Sequence, residues 1–99
     1  MGRVQLKITP SLASMFHVSR DDWFILNQEI GEGATIGDLF TTLAASYTNF
    51  RKVVFDTDEG KASDQIMIIL NDSLLQGDVM EVKIKDGDTV TLLPVYSGG

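Results

Sequence analysis

Residues 31–47 of this 99-residue sequence, GEGATIGDLFTTLAASY, limit the possible folds more than any other segment. Thr35 is a favourable helix N-cap, and Asp38 follows three residues later, which is close to the capping-box pattern. Apolar residues then recur at helical spacing: Ile36, Leu39, Phe40, Leu43, Ala44 and Tyr47. The pattern predicts a helix from about Ile36 to Ser46 whose apolar stripe must be buried against another layer.

Segments on both sides of this helix have the patterns of β-strands. Val4, Leu6 and Ile8 alternate with polar residues, which predicts a half-buried strand. The other predicted strands are residues 23–30, with Phe24, Leu26 and Ile30 on one face, then 65–71, 79–84 and 89–95, with Val90 and Leu92 on one face. The continuous apolar run in 65–71 predicts a central strand that is buried on both faces.

The connecting segments are less regular. Residues 11–18 suit a short helical turn, and residues 49–55 fit either a helical turn or a strand. Residues 56–64 form a polar stretch that predicts an exposed loop or a loose hairpin. Residues 71–78 predict a turn, and the Asp-Gly pair within residues 85–88 predicts a tight turn.

The order of these elements indicates the fold class. One amphipathic helix follows two strands and precedes three more, without a repeated βαβ pattern. The helix buries its stripe by covering one face of a mixed sheet. We therefore expect a small α+β roll in which the last strand leads directly into residues 96–99.

Composition excludes several classes of function. The net charge is −6, and the eight Lys and Arg residues are scattered, which disfavours nucleic acid and anionic membranes as partners. An acidic chain of this kind suits a basic partner surface. The sequence has no cysteine, and no apolar stretch approaches the length of a membrane span. We expect a cytoplasmic protein.

No group of residues resembles a catalytic or metal site. The only histidine, His17, has no second histidine or cysteine to join it in a metal site or catalytic triad. The acidic residues within 56–61 fail the calcium-loop pattern at Gly60 and Lys61. Residues 31–38 lack the lysine and the spacing of a phosphate-binding loop. Four large apolar residues fit either a partner surface or, for most of them, the core: Met15, Phe16, Trp23 and Phe24.

The last three residues, Ser97, Gly98 and Gly99, are the one unusual chemical feature. Glycine has no Cβ, so such a tail is thin enough to thread a narrow channel. A terminal glycine carboxylate also admits the α-phosphate of ATP without obstruction by a side chain. The alternative interpretation is a frayed or truncated end.

Four segments together resemble the MoaD/ThiS family of ubiquitin-like sulfur carriers over nearly the full length. They are EGATIGDLFTTLAASY, IMIILND, KDGDTVTLLP and the terminal SGG. The resemblance implies the β-grasp fold, with residues 1–99 as a single domain and a flexible tail at 96–99. The extra segment from Phe50 to Asp64 resembles the small subunit of molybdopterin synthase more than the shorter thiamine-type carriers.

Two positions depart from the family pattern. Val95 and Tyr96 follow Pro94, where the family often has two prolines, and Asn71-Asp72 stands where Asn-Gly is common. These departures leave the activation chemistry intact but leave open which protein receives the sulfur.

The resemblance implies a carrier that is not itself an enzyme and binds no cofactor. A ubiquitin-activating-type adenylyltransferase would use ATP and magnesium to adenylate the Gly99 carboxylate, and a sulfur donor would convert it to a thiocarboxylate. Ser97 and Gly98 would thread the partner's channel. The residues expected to contact partners are Leu93, Pro94, Val95 and Tyr96. The recipient would be a larger biosynthetic subunit, such as the catalytic subunit of molybdopterin synthase.

Three other functions stay open. Gly99 would form isopeptide bonds with lysines in a ubiquitin-like protein modifier, which needs the same adenylation. The sulfur would pass to thiamine or another metabolite in a different carrier. A passive β-grasp interaction module would make no chemical use of its tail.

Overall fold

The computed structural model describes residues 2–16, 22–56, 61–62 and 66–94. The strands in this part of the chain are β1 Gly2–Ile8, β2 Phe24–Ile30, β3 Phe55–Asp56, β4 Lys61–Ala62, β5 Ile66–Leu70, β6 Ser73–Leu74 and β7 Thr89–Pro94. The helices are α1 Ile36–Ser46 and α2 Thr48–Val53, with 3-10 helices at Pro10–Phe16 and Val79–Glu81.

Five of these strands form one mixed sheet in the order β2-β1-β7-β5-β6. β1 and β7 run parallel, with Leu6 beside Val90 and Ile8 beside Leu92. The other neighbouring pairs are antiparallel. β7 therefore lies at the centre of the sheet. The strand termini define two ends of the sheet. We call the end at which β7 finishes with Pro94 the tail end, and the opposite end, at which β7 begins, the far end.

Helix α1 has the bounds and the cap that the sequence predicts. The backbone N–H of Asp38 donates to the Thr35 hydroxyl at 3.1 Å, and the Thr35 N–H donates to the Asp38 carboxylate at 3.0 Å. This reciprocal capping box satisfies two N–H groups that a helix start leaves without partners.

The core lies between one face of the sheet and the two helices. Leu39 is 2% exposed and Phe40 is fully buried, and they pack among side chains of the central strands. The Phe40 ring meets the rings of Phe50 and Phe55 edge to face, with centroids 5.2 and 5.8 Å away. Because α1 and α2 cover the same face, the sheet has an inner face toward the helices and an outer face away from them.

The irregular segments take forms that the sequence left open. Residues 49–55 supply both of the predicted alternatives, since most of them lie in α2 and Phe55 begins β3. β3 pairs with β4 in antiparallel register, which confirms a loose hairpin, although residues 57–60 lie outside the described part. The predicted helical turn at 11–18 is a 3-10 helix over Pro10–Phe16, and His17 and Val18 lie outside the described residues.

The predicted strand at residues 79–84 is wrong. A 3-10 helix occupies Val79–Glu81, and only Lys83 makes an isolated bridge, to Thr35. The backbone here bonds to the start of α1 instead of to the sheet: the Ile36 N–H donates to the Val82 carbonyl at 2.8 Å. A Cβ on Gly37 would lie 2.9 Å from the Met80 carbonyl oxygen, so glycine permits this close approach.

Two further predictions for the region around β5 need correction. β5 lies inside the sheet, between β7 and the edge strand β6, but it is not buried on both faces, since Met67 and Ile69 are only partly buried. The helices cover one face of the sheet, so alternate side chains of β5 point away from them. Residues 71–78 contain the predicted turn at Asn71-Asp72 but also the short strand β6.

Candidate functional site

The outer face at the tail end is where β7 presents its last side chains. Val90 and Leu92 are fully buried on the inner face. Side chains alternate along a strand, so Thr91 and Leu93 lie on the outer face, where they are partly buried. The last described residue, Pro94, pairs with Ile66 at the tail end of the sheet, and residues 95–99 follow it in the sequence.

The strand register gathers apolar side chains around Leu93. Met67 of β5 stands directly opposite Leu93, and Ile69 stands opposite Thr91. Leu74 of β6 is opposite Ile69 and is 46% exposed. Directly opposed residues share a face of the sheet. Met67, Ile69, Leu74 and Leu93 therefore form a continuous surface, which we call the apolar patch.

A second group continues the outer face across β1 to the edge strand β2. Lys7 stands opposite both Thr91 of β7 and Ile25 of β2. The Lys7 ammonium lies 5.2 Å from the centroid of the Trp23 ring, within the range of a cation–π contact. Trp23 and Ile25 are each 40% exposed. We call Lys7, Trp23 and Ile25 the edge group.

The start of β7 is fixed by a polar network at the far end. The Asp88 carboxylate, in a residue only 6% exposed, accepts from the Asn71 side-chain amide at 3.2 Å and from the Lys85 N–H at 3.0 Å. The Asn71 side-chain oxygen in turn accepts from the Thr89 N–H at 3.0 Å. Asn71 has a φ of 56°, in the left-handed region that asparagine tolerates better than most residues. This network ties the β5–β6 turn to β7 and so helps to fix the position of the strand that leads to the tail.

The predicted contact residues do not all share one face. Leu93 lies in the apolar patch, whereas Pro94 pairs with the buried residue Ile66 and lies on the other face of the sheet. The other predicted site residues lie outside the described part: Val95, Tyr96, Ser97, Gly98 and Gly99.

The sequence left open whether the large apolar residues belong to a partner surface or to the core, and the structure gives a different answer for each of two of them. Trp23 is exposed on the outer face, whereas Phe24 packs against the core. The side chains of Met15 and Phe16 are outside the described set. Met67 and Ile69 were predicted to be buried and are instead partly exposed. Lys7 lies on the polar face that alternation predicts for its strand, but neither Lys7 nor Leu74 was assigned to a binding site. The signal for Met67 and Ile69 was available, because a single amphipathic helix leaves every second side chain of a sheet strand without helical cover.

The exposed apolar residues of this face suit the binding of a partner. In the described part of the chain, no three acidic or histidine side chains lie close enough to hold a metal ion. None of the helices described here has the length and apolar character that crossing a membrane requires. Partly exposed apolar residues beside the start of the tail offer the kind of surface that a protein partner covers.

Comparison with known proteins agrees with this geometry. The sequence profile of the ThiS family matches residues 25–99. No curated protein sequence matches the chain. SAMP1 from Haloferax volcanii is similar in structure, with a TM-score of 0.76 and 26% identity over 99% of this chain and 100% of that one.

Two other solved structures share the fold at lower identity. A Pyrococcus furiosus protein assigned as subunit 1 of a molybdopterin converting factor has a TM-score of 0.72 and 23% identity, with 97% of this chain and 100% of that one covered. A chain of the Amycolatopsis orientalis BexX/CysO complex has a TM-score of 0.71 and 23% identity, with 97% and 99% covered. The mixed sheet with one main helix is thus the expected β-grasp fold. Because the family profile matches well over half of the length of this chain, the chain belongs to the ThiS family of ubiquitin-like sulfur carriers and small modifiers.

Proposed function

We propose that this chain is a sulfur carrier whose Gly99 carboxylate is adenylated and then converted to a thiocarboxylate. The observation that carries the proposal is the family match over residues 25–99, which includes Ser97, Gly98 and Gly99. The outer face supports it, because the apolar patch lies beside the strand from which these residues continue. The proposal treats residues 1–99 as a single domain with a tail at 96–99.

The proposed chemistry takes place on a partner. An adenylyltransferase of the ubiquitin-activating type binds ATP and magnesium, and a carboxylate oxygen of Gly99 attacks the α-phosphorus while pyrophosphate leaves. A donor that supplies sulfur as hydrosulfide then attacks the acyl carbon, AMP leaves with the electrons of the acyl–oxygen bond, and loss of the proton from sulfur yields the thiocarboxylate. The carrier contributes no acid, base or metal. Its own tasks are to dock through the outer face and to present a carbonyl without a neighbouring side chain. The need for ATP places the proposed carrier in the cytoplasm.

We propose molybdopterin synthesis as the destination of the sulfur, with a larger catalytic subunit as the recipient. The similarity to the Pyrococcus furiosus molybdopterin converting factor subunit supports this choice. The segment between Phe50 and Asp64, which contains β3 and β4, also supports it, since the family's thiamine-type carriers are usually shorter.

The test of activation is ATP–pyrophosphate exchange with the cognate activating enzyme. We expect exchange with the wild type and none after deletion of Gly98 and Gly99. Gly99→Val should also block exchange, because a β-branched side chain crowds the reacting carboxylate. Gly31→Val is a matched control, since a Cβ on Gly31 meets no atom within 4 Å and the residue lies near the far end of the sheet. Normal exchange by the deletion variant would refute both the carrier and the modifier proposals.

Intact mass of protein purified from its native cells tests the sulfur step. The proposal expects a form that is heavier by the difference between one sulfur and one oxygen, and only in protein that retains Gly99. A population with full exchange activity but without this mass, under conditions that preserve thiocarboxylates, would contradict the sulfur-carrier assignment.

A second candidate is a protein modifier that forms isopeptide bonds through Gly99. The similarity to Haloferax volcanii SAMP1 favours it, because that protein is a small archaeal modifier protein. Mass spectrometry of cell extracts distinguishes the two fates of the same adenylate. Peptides that join Gly99 to lysine side chains support the modifier, and a thiocarboxylate supports the carrier.

A further inference from the structure

Lys7 lies on the outer face, and the described residues that flank it in the sheet are uncharged. Its cross-strand partners are Ile25 and Thr91, and the nearest outer-face residue earlier on its own strand is Gln5. Among the described residues, no carboxylate lies within ion-pair distance of the Lys7 ammonium. Its contact with Trp23 orients the positive charge but does not neutralise it.

Three described carboxylates make hydrogen bonds or ion pairs with residues in or next to the sheet, and all three lie toward its far end. Glu29 pairs with Arg3 at 3.6 Å, Asp86 accepts from the Arg3 N–H at 2.9 Å, and Asp88 bonds to Asn71. Asp22, next to Trp23, has interactions of its own. Among the described outer-face residues of β1, β5 and β7 at the tail end, Lys7 is the one charged group, so the net charge of −6 does not describe this part of the surface.

Trp23 adds an apolar anchor beside this charge. It is the only tryptophan in the sequence, and it remains 40% exposed next to Ile25, which is equally exposed. Tryptophan is enriched among the residues that contribute most to binding at protein interfaces. The edge group is joined to the apolar patch through the pairing of Lys7 with Thr91, so one partner could cover both.

We infer that the activating enzyme presents a carboxylate to Lys7, beside an apolar surface that covers Trp23 and Ile25. The inference rests on the proposed function and deepens it by assigning the charge of the partner at the contact. Net charge alone favours a basic partner. Salt screens charges beyond about 8–10 Å, so the charge at the contact itself has the larger influence on the docked complex. Lys7 therefore calls for a partner group of the opposite sign to the one that the whole composition suggests.

The experiment compares two charge reversals in the ATP–pyrophosphate exchange assay at low ionic strength. Lys7→Glu and Lys85→Glu each change the net charge by the same amount, but Lys85 lies in the exposed turn at the far end. We expect Lys7→Glu to raise the KM for the carrier about tenfold or more with little change in kcat, as loss of a close charge pair does. Lys7→Arg should stay near wild type, and Lys85→Glu should change KM less than about twofold. Thermal denaturation of each variant checks that the fold is intact.

Salt and a tryptophan label provide independent readouts. The difference between Lys7→Glu and wild type should shrink as ionic strength rises. Fluorine-labelled Trp23 should change its ¹⁹F NMR shift when the activating enzyme binds, and Trp23→Ala should raise KM.

The possible results distinguish the proposed function, the acidic contact at Lys7 and the place of Trp23 in the interface. If the wild type supports no exchange, the proposed function fails and this inference fails with it. If the wild type is active and Lys7→Glu matches Lys85→Glu, or binds more tightly than wild type, the acidic contact is wrong while the carrier proposal stands. An unchanged ¹⁹F shift in the saturated complex would remove Trp23 from the interface.

Discussion

Leu92 and Leu93 are adjacent on β7 but lie on opposite faces of the sheet, so replacing each one separates folding from docking. Leu92 is fully buried, and it stands between Ile8 of β1 and Ile68 of β5. Leu93 is partly buried in the apolar patch opposite Met67. The same side chain thus has two different environments at consecutive positions.

The cost of truncating Leu92 follows from its position in the central strand. Leu92→Ala removes apolar contact with strands on both sides, and paired strands have little freedom to close the cavity. We therefore expect a loss in the upper part of the usual range for a buried leucine, about 3–5 kcal/mol of unfolding free energy. For a chain of 99 residues this lowers the melting temperature by about 15–25 °C.

Replacing Leu93 should have little effect on stability and a large effect on docking. Leu93→Ala should cost about 1 kcal/mol or less, because the side chain is already in partial contact with water. Leu93→Asp should leave a folded protein as well, but it places an unpaired charge in the proposed interface. We expect docking to the activating enzyme to weaken by at least about 30-fold, the size of an interface hot spot of about 2 kcal/mol.

Circular dichroism during thermal and urea denaturation measures the fold, and the KM for the carrier in pyrophosphate exchange measures docking. A Leu93→Ala variant that loses as much stability as Leu92→Ala would show that Leu93 belongs to the core. An unchanged midpoint for Leu92→Ala would refute the register assigned to β7. A folded Leu93→Asp variant with wild-type KM would mean that the activating enzyme binds elsewhere.

Three further experiments test the scaffold. Leu39→Ala, at a residue only 2% exposed, should cost about 2–5 kcal/mol in urea denaturation, whereas Thr42→Ala on the exposed side of α1 should stay within about 0.5 kcal/mol; equal losses would mean that the helix face is misassigned. Asp88→Ala leaves the Asn71 amide and the Lys85 N–H without their acceptor, so calorimetry should record a loss of about 1–3 kcal/mol, and a neutral result would contradict a structural role for the network. Deletion of Gly98 and Gly99 should shift the melting temperature by less than about 2 °C, since two glycines bury little apolar area, and a larger drop would show that the tail packs on the domain.

The sequence predicted the local elements with the strongest patterns. The bounds of α1 and its capping box follow from Thr35, Asp38 and the apolar repeat, because these interactions form within a few residues of one another. The strands at Gly2–Ile8 and Phe24–Ile30 follow from alternation in the same way. The α+β class also follows, since a single amphipathic helix needs a sheet to cover.

Segments whose hydrogen-bonding and packing partners are distant in the sequence were harder to predict. The pattern of residues 79–84 suits a strand, but the start of α1 takes its backbone bonds, as the Ile36–Val82 hydrogen bond shows. Residues 65–71 have apolar side chains at consecutive positions, so their pattern alone does not reveal that one face is left without helical cover.

The chemistry proposed for the tail comes from the sequence alone, since the resemblance at Ser97, Gly98 and Gly99 needs no coordinates. The proposed docking surface could be found only in the tertiary structure. Lys7, Met67 and Leu93 come from three strands that are far apart in the chain, and only the register of the sheet places them on one face. Alternation along a strand fixes which residues share a side, but the packing of α1 decides which side is buried and which side remains for a partner.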